Sequence, residues 1–135
     1  MNKKIAPILQ VNNLSVFSND STLLQNISFS LKKYSILGII GESGSGKSLT
    51  ALSILNILKH KGLKQIGDII YNEDNITSYD SNQFRDFLKK DIGIIFQDPS
   101  SYLNPSMKCG DQMLEVLNQK SSEEFLSEIL KKVKF

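Results

Sequence analysis

The 135 residues carry 16 Lys and Arg against 14 Asp and Glu, a net charge of +2, with 40% hydrophobic and 22% charged residues, the proportions of one ordinary globular domain or part of one. The lysines fall in small groups and never in a block, so the composition gives no case for a nucleic-acid surface. Cys109 is the only cysteine, which excludes an internal disulfide framework and fits a reducing compartment. No apolar run approaches the ~18 residues of a membrane span, and no signal-peptide stretch follows the basic start Met1 to Lys4. The chain is therefore expected in the cytosol, with any membrane association made through a partner.

In chain order, a loose strand pattern runs from about Ile8 to Val16. Asn19-Asp20-Ser21 reads as a turn, and Ile27, Phe29 and Leu31 then alternate with Ser28 and Ser30 as a half-buried strand does. Residues 36–40 are apolar apart from Gly38, the pattern of a strand covered on both faces in a parallel sheet. Gly41-Glu42-Ser43-Gly44-Ser45-Gly46-Lys47-Ser48 follows, a complete G-x-x-x-x-G-K-[ST] loop, and a helical pattern begins directly after it. Small residues let consecutive backbone N–H groups turn inward around phosphates, Lys47 can reach the β/γ-phosphates, and the Ser48 hydroxyl can ligate Mg²⁺. The positive end of the following helix, from Leu49 onward, adds to the attraction. A strand before the loop and a helix after it is the setting in which such a match means nucleotide binding rather than a Ser/Gly-rich surface turn.

The helix is expected to run from 47 to about 59 and to stop at Lys59-His60-Lys61-Gly62, where basic residues and a glycine mark a C-terminus. His60 is thus read as a partner of the helix dipole and not as a ligand, since no second His or carboxylate cluster supplies ligand spacing. Gly67 to Ile76 reads as a strand, a turn at Asn72 to Asn75 and a return. Asp80 with Gln83 forms a capping-box pattern for a helix to about Lys89. Ile92 to Phe96 is a further apolar strand, ended by Gln97-Asp98-Pro99. From Gly110 the pattern is helical, with Met113, Leu114 and Leu117 on one side. Ser121 with Glu124 caps a last helix whose stripe holds Phe125, Leu126, Ile129, Leu130 and Val133. Cys109 is read as a buried or inert thiol. The order strand, loop, helix, strand, helices argues for an α/β core with a helical insertion.

The stretch Ile94-Ile95-Phe96-Gln97-Asp98-Pro99-Ser100-Ser101-Tyr102-Leu103-Asn104-Pro105, taken with Gly41 to Ser48, resembles the front half of an ABC transporter ATPase. Phe-Gln-Asp-Pro followed by Leu-Asn-Pro, with Ser48-Leu49-Thr50-Ala51-Leu52-Ser53-Ile54 after the loop, is similar to the ATPases of oligopeptide, dipeptide and nickel importers. The resemblance covers nearly the whole chain. It implies an incomplete P-loop NTPase (ABC ATPase) core of α/β class. Antiparallel strands stand at its N-terminus, residues 1–99 form the β strands with P-loop and Q-loop, and residues 100–135 begin a helical subdomain.

The same resemblance implies ATP and Mg²⁺ as ligands. Gly41, Glu42, Ser43, Gly44, Ser45, Gly46, Lys47, Ser48 and Leu49 would hold the phosphates. Lys47 and Gln97 would act in catalysis, and Ser48 and Gln97 at the metal; an amide suits the last role because it bridges metal and water without titrating. Phe17 lies where the family carries the aromatic that stacks on adenine, with core packing as the competing use of a Phe. Asp98 imitates a metal-holding aspartate, but Gln97 breaks the apolar run, Pro99 follows at once and no second carboxylate comes after, so that role is rejected. Tyr34-Ser35 stands where the family often has Gly-Glu.

The Leu-Ser-Gly-Gly-Gln signature, the strand ending Asp-Glu and the switch histidine of such ATPases do not occur in these residues. The expectation is an N-terminal half, inactive and poorly stable alone, of a subunit that couples ATP hydrolysis to import of peptides or nickel. Its implied partners are membrane permease subunits, a second ATPase subunit and an external solute-binding protein, with no nucleic acid, and its place is the cytoplasmic face of the membrane. Two other readings stay open: a non-hydrolytic nucleotide-binding remnant or regulatory module, and a non-transport ABC-like ATPase.

Overall fold

A computed structural model describes residues 6–58, 62–116 and 123–133. The chain divides into two compact units, Met1–Gly93 and Ile94–Phe135.

The first unit is built on four antiparallel strands in the order β2-β1-β3-β4, with β1 Pro7–Phe17, β2 Thr22–Lys32, β3 Lys64–Tyr71 and β4 Asp74–Asn75. β1 is paired on both edges, so its apolar side chains are the most deeply covered: Val11, Leu14 and Val16 are fully buried. A strict alternation would put Val11 and Leu14 on opposite faces. The register shifts between Val11 and Leu14 against β2, and between Asn12 and Ser15 against β3, and this bulge turns Leu14 back into the core. Asn13 takes φ 51° there, and its N–H donates to Ser28 Oγ at 2.8 Å. Across from it Gly67 has φ 103°, and a Cβ would stand 2.7 Å from the Asn12 and Asn13 carbonyl oxygens. Glycine is therefore required at 67 for both its conformation and the close backbone approach. The same bulge accounts for the looseness of the strand pattern in the sequence.

Two helices join this sheet in the core, α1 Lys47–Ile54 and α2 Ser81–Asp91. Leu49, Leu52 and Ile54 of α1 pack on the buried cluster that contains Leu58, Ile69, Ile76, Phe84 and Phe87. α1 is shorter than its sequence pattern implies: Leu55 closes it by donating to Ala51 O at 3.3 Å, and residues 59–61, with His60, lie outside the described residues. α2 begins as expected. Asp80 accepts from the N–H groups of Asn82 and Gln83 at 2.8 and 2.9 Å, and Gln83 Oε1 accepts from the Asp80 N–H at 3.0 Å, which satisfies both ends of a capping box. α2 buries Phe84 and Phe87, and Phe87 meets Tyr71 edge-on at 5.0 Å and Phe84 at 5.5 Å, geometry favoured by the ring quadrupoles. Partial burial, with the neighbouring Asp91 carboxylate, raises the pKa of the Tyr71 hydroxyl.

Two expected strands do not form. Residues 36–40 and 92–96 carry no strand assignment, Ile36 and Ile40 are 99% and 97% exposed, and Ile95 is 95% exposed. Their composition suits a buried strand, but strand structure requires a neighbouring backbone to take its hydrogen bonds. The described residues form one sheet, and neither run belongs to it.

The second unit holds a short 3₁₀ turn at Pro99–Tyr102 and two helices, α3 Cys109–Val116 and α4 Glu123–Lys132. Gln112 fastens the approach to α3. Its Oε1 accepts from the Asn104 N–H at 2.9 Å, and its Nε2 donates to the Asn104 and Met107 carbonyls at 3.0 and 3.1 Å. Cys109 is exposed at the start of α3, not buried. The expected cap at Ser121 and the stripe position Leu117 lie outside the described residues.

Candidate functional site

The glycine-rich loop leaves the run 36–40 and ends in α1, and its shape follows from three glycines. Gly44 and Gly46 take φ 80° and 91°, a region that costs a residue with a Cβ about 1 kcal/mol or more. At Gly46 a Cβ would also press on Leu24 Cδ2, a side-chain end able to turn away, so the positive φ is what calls for glycine. At Gly41 a Cβ would lie 2.7 Å from Ser45 Oγ. The loop turns on itself through Ser45 N–H donating to Glu42 O at 3.2 Å. Strand β2 thus backs the end of the loop through Leu24, a contact between positions 22 residues apart that the loop's own sequence does not announce.

Gly46 is the N-cap of α1 and supplies no side-chain cap. The first N–H groups of a helix have no carbonyl one turn back to bond, and with no side chain placed over them they remain available to an anion. The helix has no acidic residue in its first turn, so nothing of negative charge competes there. The start is fixed from inside. Thr50 N–H and Thr50 Oγ1 both donate to Gly46 O, at 2.8 and 3.0 Å, and Ser53 Oγ donates to Leu49 O at 2.8 Å. Thr50 and Ser53 are buried, so hydroxyls at these positions hold the helix against the core without leaving an unpaired polar atom.

Lys47 folds back over the loop. Its Nζ donates to the Gly41 carbonyl at 2.8 Å, to the Glu42 carbonyl at 2.5 Å and to Ser45 Oγ at 3.4 Å. The ammonium therefore sits on the loop that the backbone N–H groups edge, and Glu42 contributes its carbonyl to that arrangement. Ser48 stands next to it, exposed, in the first turn of α1. A ring of small residues with two glycines at positive φ, a helix N-terminus without a cap and one primary ammonium suits a polyphosphate. An exposed hydroxyl beside them suits a hard, oxygen-seeking cation such as Mg²⁺.

The remaining residues singled out in the sequence belong to other elements than this loop. Phe17 closes β1, where it pairs with Thr22 and Lys64, and is half-buried. Gln97 belongs to the second unit and is exposed, at a bend before the 3₁₀ turn. Beside it Phe96 stacks on Tyr102 at 3.9 Å with the rings 10° from parallel, and Ser101 Oγ bonds the Asp98 carboxylate, which ties Asp98 into its own turn. Among the described residues no group of three or more His, Cys, Asp or Glu is placed to hold a metal by itself. No helix there is long and apolar enough to cross a membrane. Sequence reasoning missed Leu24, which meets the loop from 22 residues away, and Gln112, which fastens its own segment through Asn104 and Met107. Neither has a local signature.

Comparison with known proteins gives the family. Residues 24–135 match the ABC transporter family, and the chain belongs to it. The oligopeptide transport ATP-binding protein OppD of Bacillus subtilis is 33% identical over 128 residues, covering 90% of this chain and 36% of that protein. The protein of the same name from Haemophilus influenzae is 38% identical over 115 residues, 82% of this chain and 35% of its own length. The dipeptide transport ATP-binding protein DppD of Haemophilus influenzae is 33% identical over 114 residues, 82% of this chain and 34% of its own. The chain thus spans about a third of the length of these relatives. The α/β class expected from the sequence holds, with an antiparallel sheet and several helices.

Proposed function

We propose that the chain is the nucleotide-binding portion of an ABC importer's ATP-binding subunit, and that ATP with Mg²⁺ is its ligand. The carrying observation is the loop Gly41–Ser48: two glycines at positive φ, Lys47 laid across the loop, and an uncapped helix at its end. The backbone N–H groups from Glu42 to Leu49 would hold phosphate oxygens, Lys47 would exchange its loop carbonyls for the β/γ-phosphates, and Ser48 Oγ would ligate the cation. Mg²⁺, when held there, would supply positive charge for phosphoryl transfer, a reaction governed mainly by positioning and charge stabilisation. By the family resemblance, the Gln97 amide would serve the metal and Phe17 would stack on the adenine ring.

Peptides are the cargo this reading favours over nickel, because the similar proteins are named for oligopeptide and dipeptide transport. In that setting the chain works with membrane permease subunits, a second ATPase subunit and an external solute-binding protein, at the cytoplasmic face of the membrane. Its turnover belongs to the complete subunit.

The test is titration of the chain with a fluorescent ATP analogue, with and without Mg²⁺, beside Lys47→Ala. Loss of a charge-assisted contact of about 1.5–3 kcal/mol predicts binding weakened by roughly 10- to 100-fold. Equal affinity in the two proteins would sink the proposal.

A further inference from the structure

We draw no further inference here: the strongest candidate, the cleft between the β3–β4 hairpin and α2 lined by Tyr71, Asp74, Tyr79, Asp86, Lys90 and Asp91, sets carboxylates and one lysine beside aromatic rings, and nothing in the structure shows what would occupy it.

Discussion

Strand β1 and the run 36–40 are made of similar residues and end in opposite states. Val11, Leu14 and Val16 are fully buried, whereas Ile36 and Ile40 are almost fully exposed. β1 lies between β2 and β3 and shares ladders with both; the run 36–40 pairs with no strand among the described residues. Apolar composition gives a segment the capacity to be a buried strand, and a neighbouring backbone decides whether that capacity is used. The glycine-rich loop hangs from the second kind of segment, yet keeps its shape, because its turns, its lysine contacts and its helix start are made within a dozen residues and against Leu24.

Substitutions sharpen the contrast. The largest effect is expected at Leu14→Ala, which removes a fully buried side chain and should destabilise the first unit by about 2–5 kcal/mol; urea unfolding followed by circular dichroism measures it. A smaller loss, about 0.5–2 kcal/mol, is expected for Asp80→Ala, because two N–H groups at the start of α2 lose their acceptor. Ile40→Ser changes a side chain that touches solvent and should move stability by no more than about 0.5 kcal/mol in the same assay. An Ile40→Ser loss as large as that of Leu14→Ala would break the comparison, since it would show that the run 36–40 is packed in solution.

The features legible in the sequence are the local ones. Asp80 and Gln83 announce their capping box by spacing alone, and the eight residues from Gly41 to Ser48 specify a loop whose glycines, lysine and helix start meet within a few ångströms. The β1–β2 pair was readable from the turn at Asn19 to Ser21, although each strand is longer than its alternation shows. The bulge at Asn12 and Asn13 was not readable, since it depends on Gly67 approaching from another strand. The runs 36–40 and 92–96 were read as strands because hydrophobicity reports what a segment could bury and not what stands next to it. Of the reading of Cys109 as buried or inert, the burial does not hold, since the thiol is exposed. Roles for Phe17 and Gln97 rest on family resemblance, and side-chain chemistry alone would not have selected either.

Amide hydrogen exchange, resolved by residue on the intact chain, tests most directly whether pairing separates the two regions. Protection tracks hydrogen bonds that open only with the surrounding structure. The account predicts slow exchange at Val11, Val16 and Ile69, and exchange near the unstructured rate at Leu37, Ile39 and Ile40. Protection of residues 36–40 equal to that of β1 would contradict it.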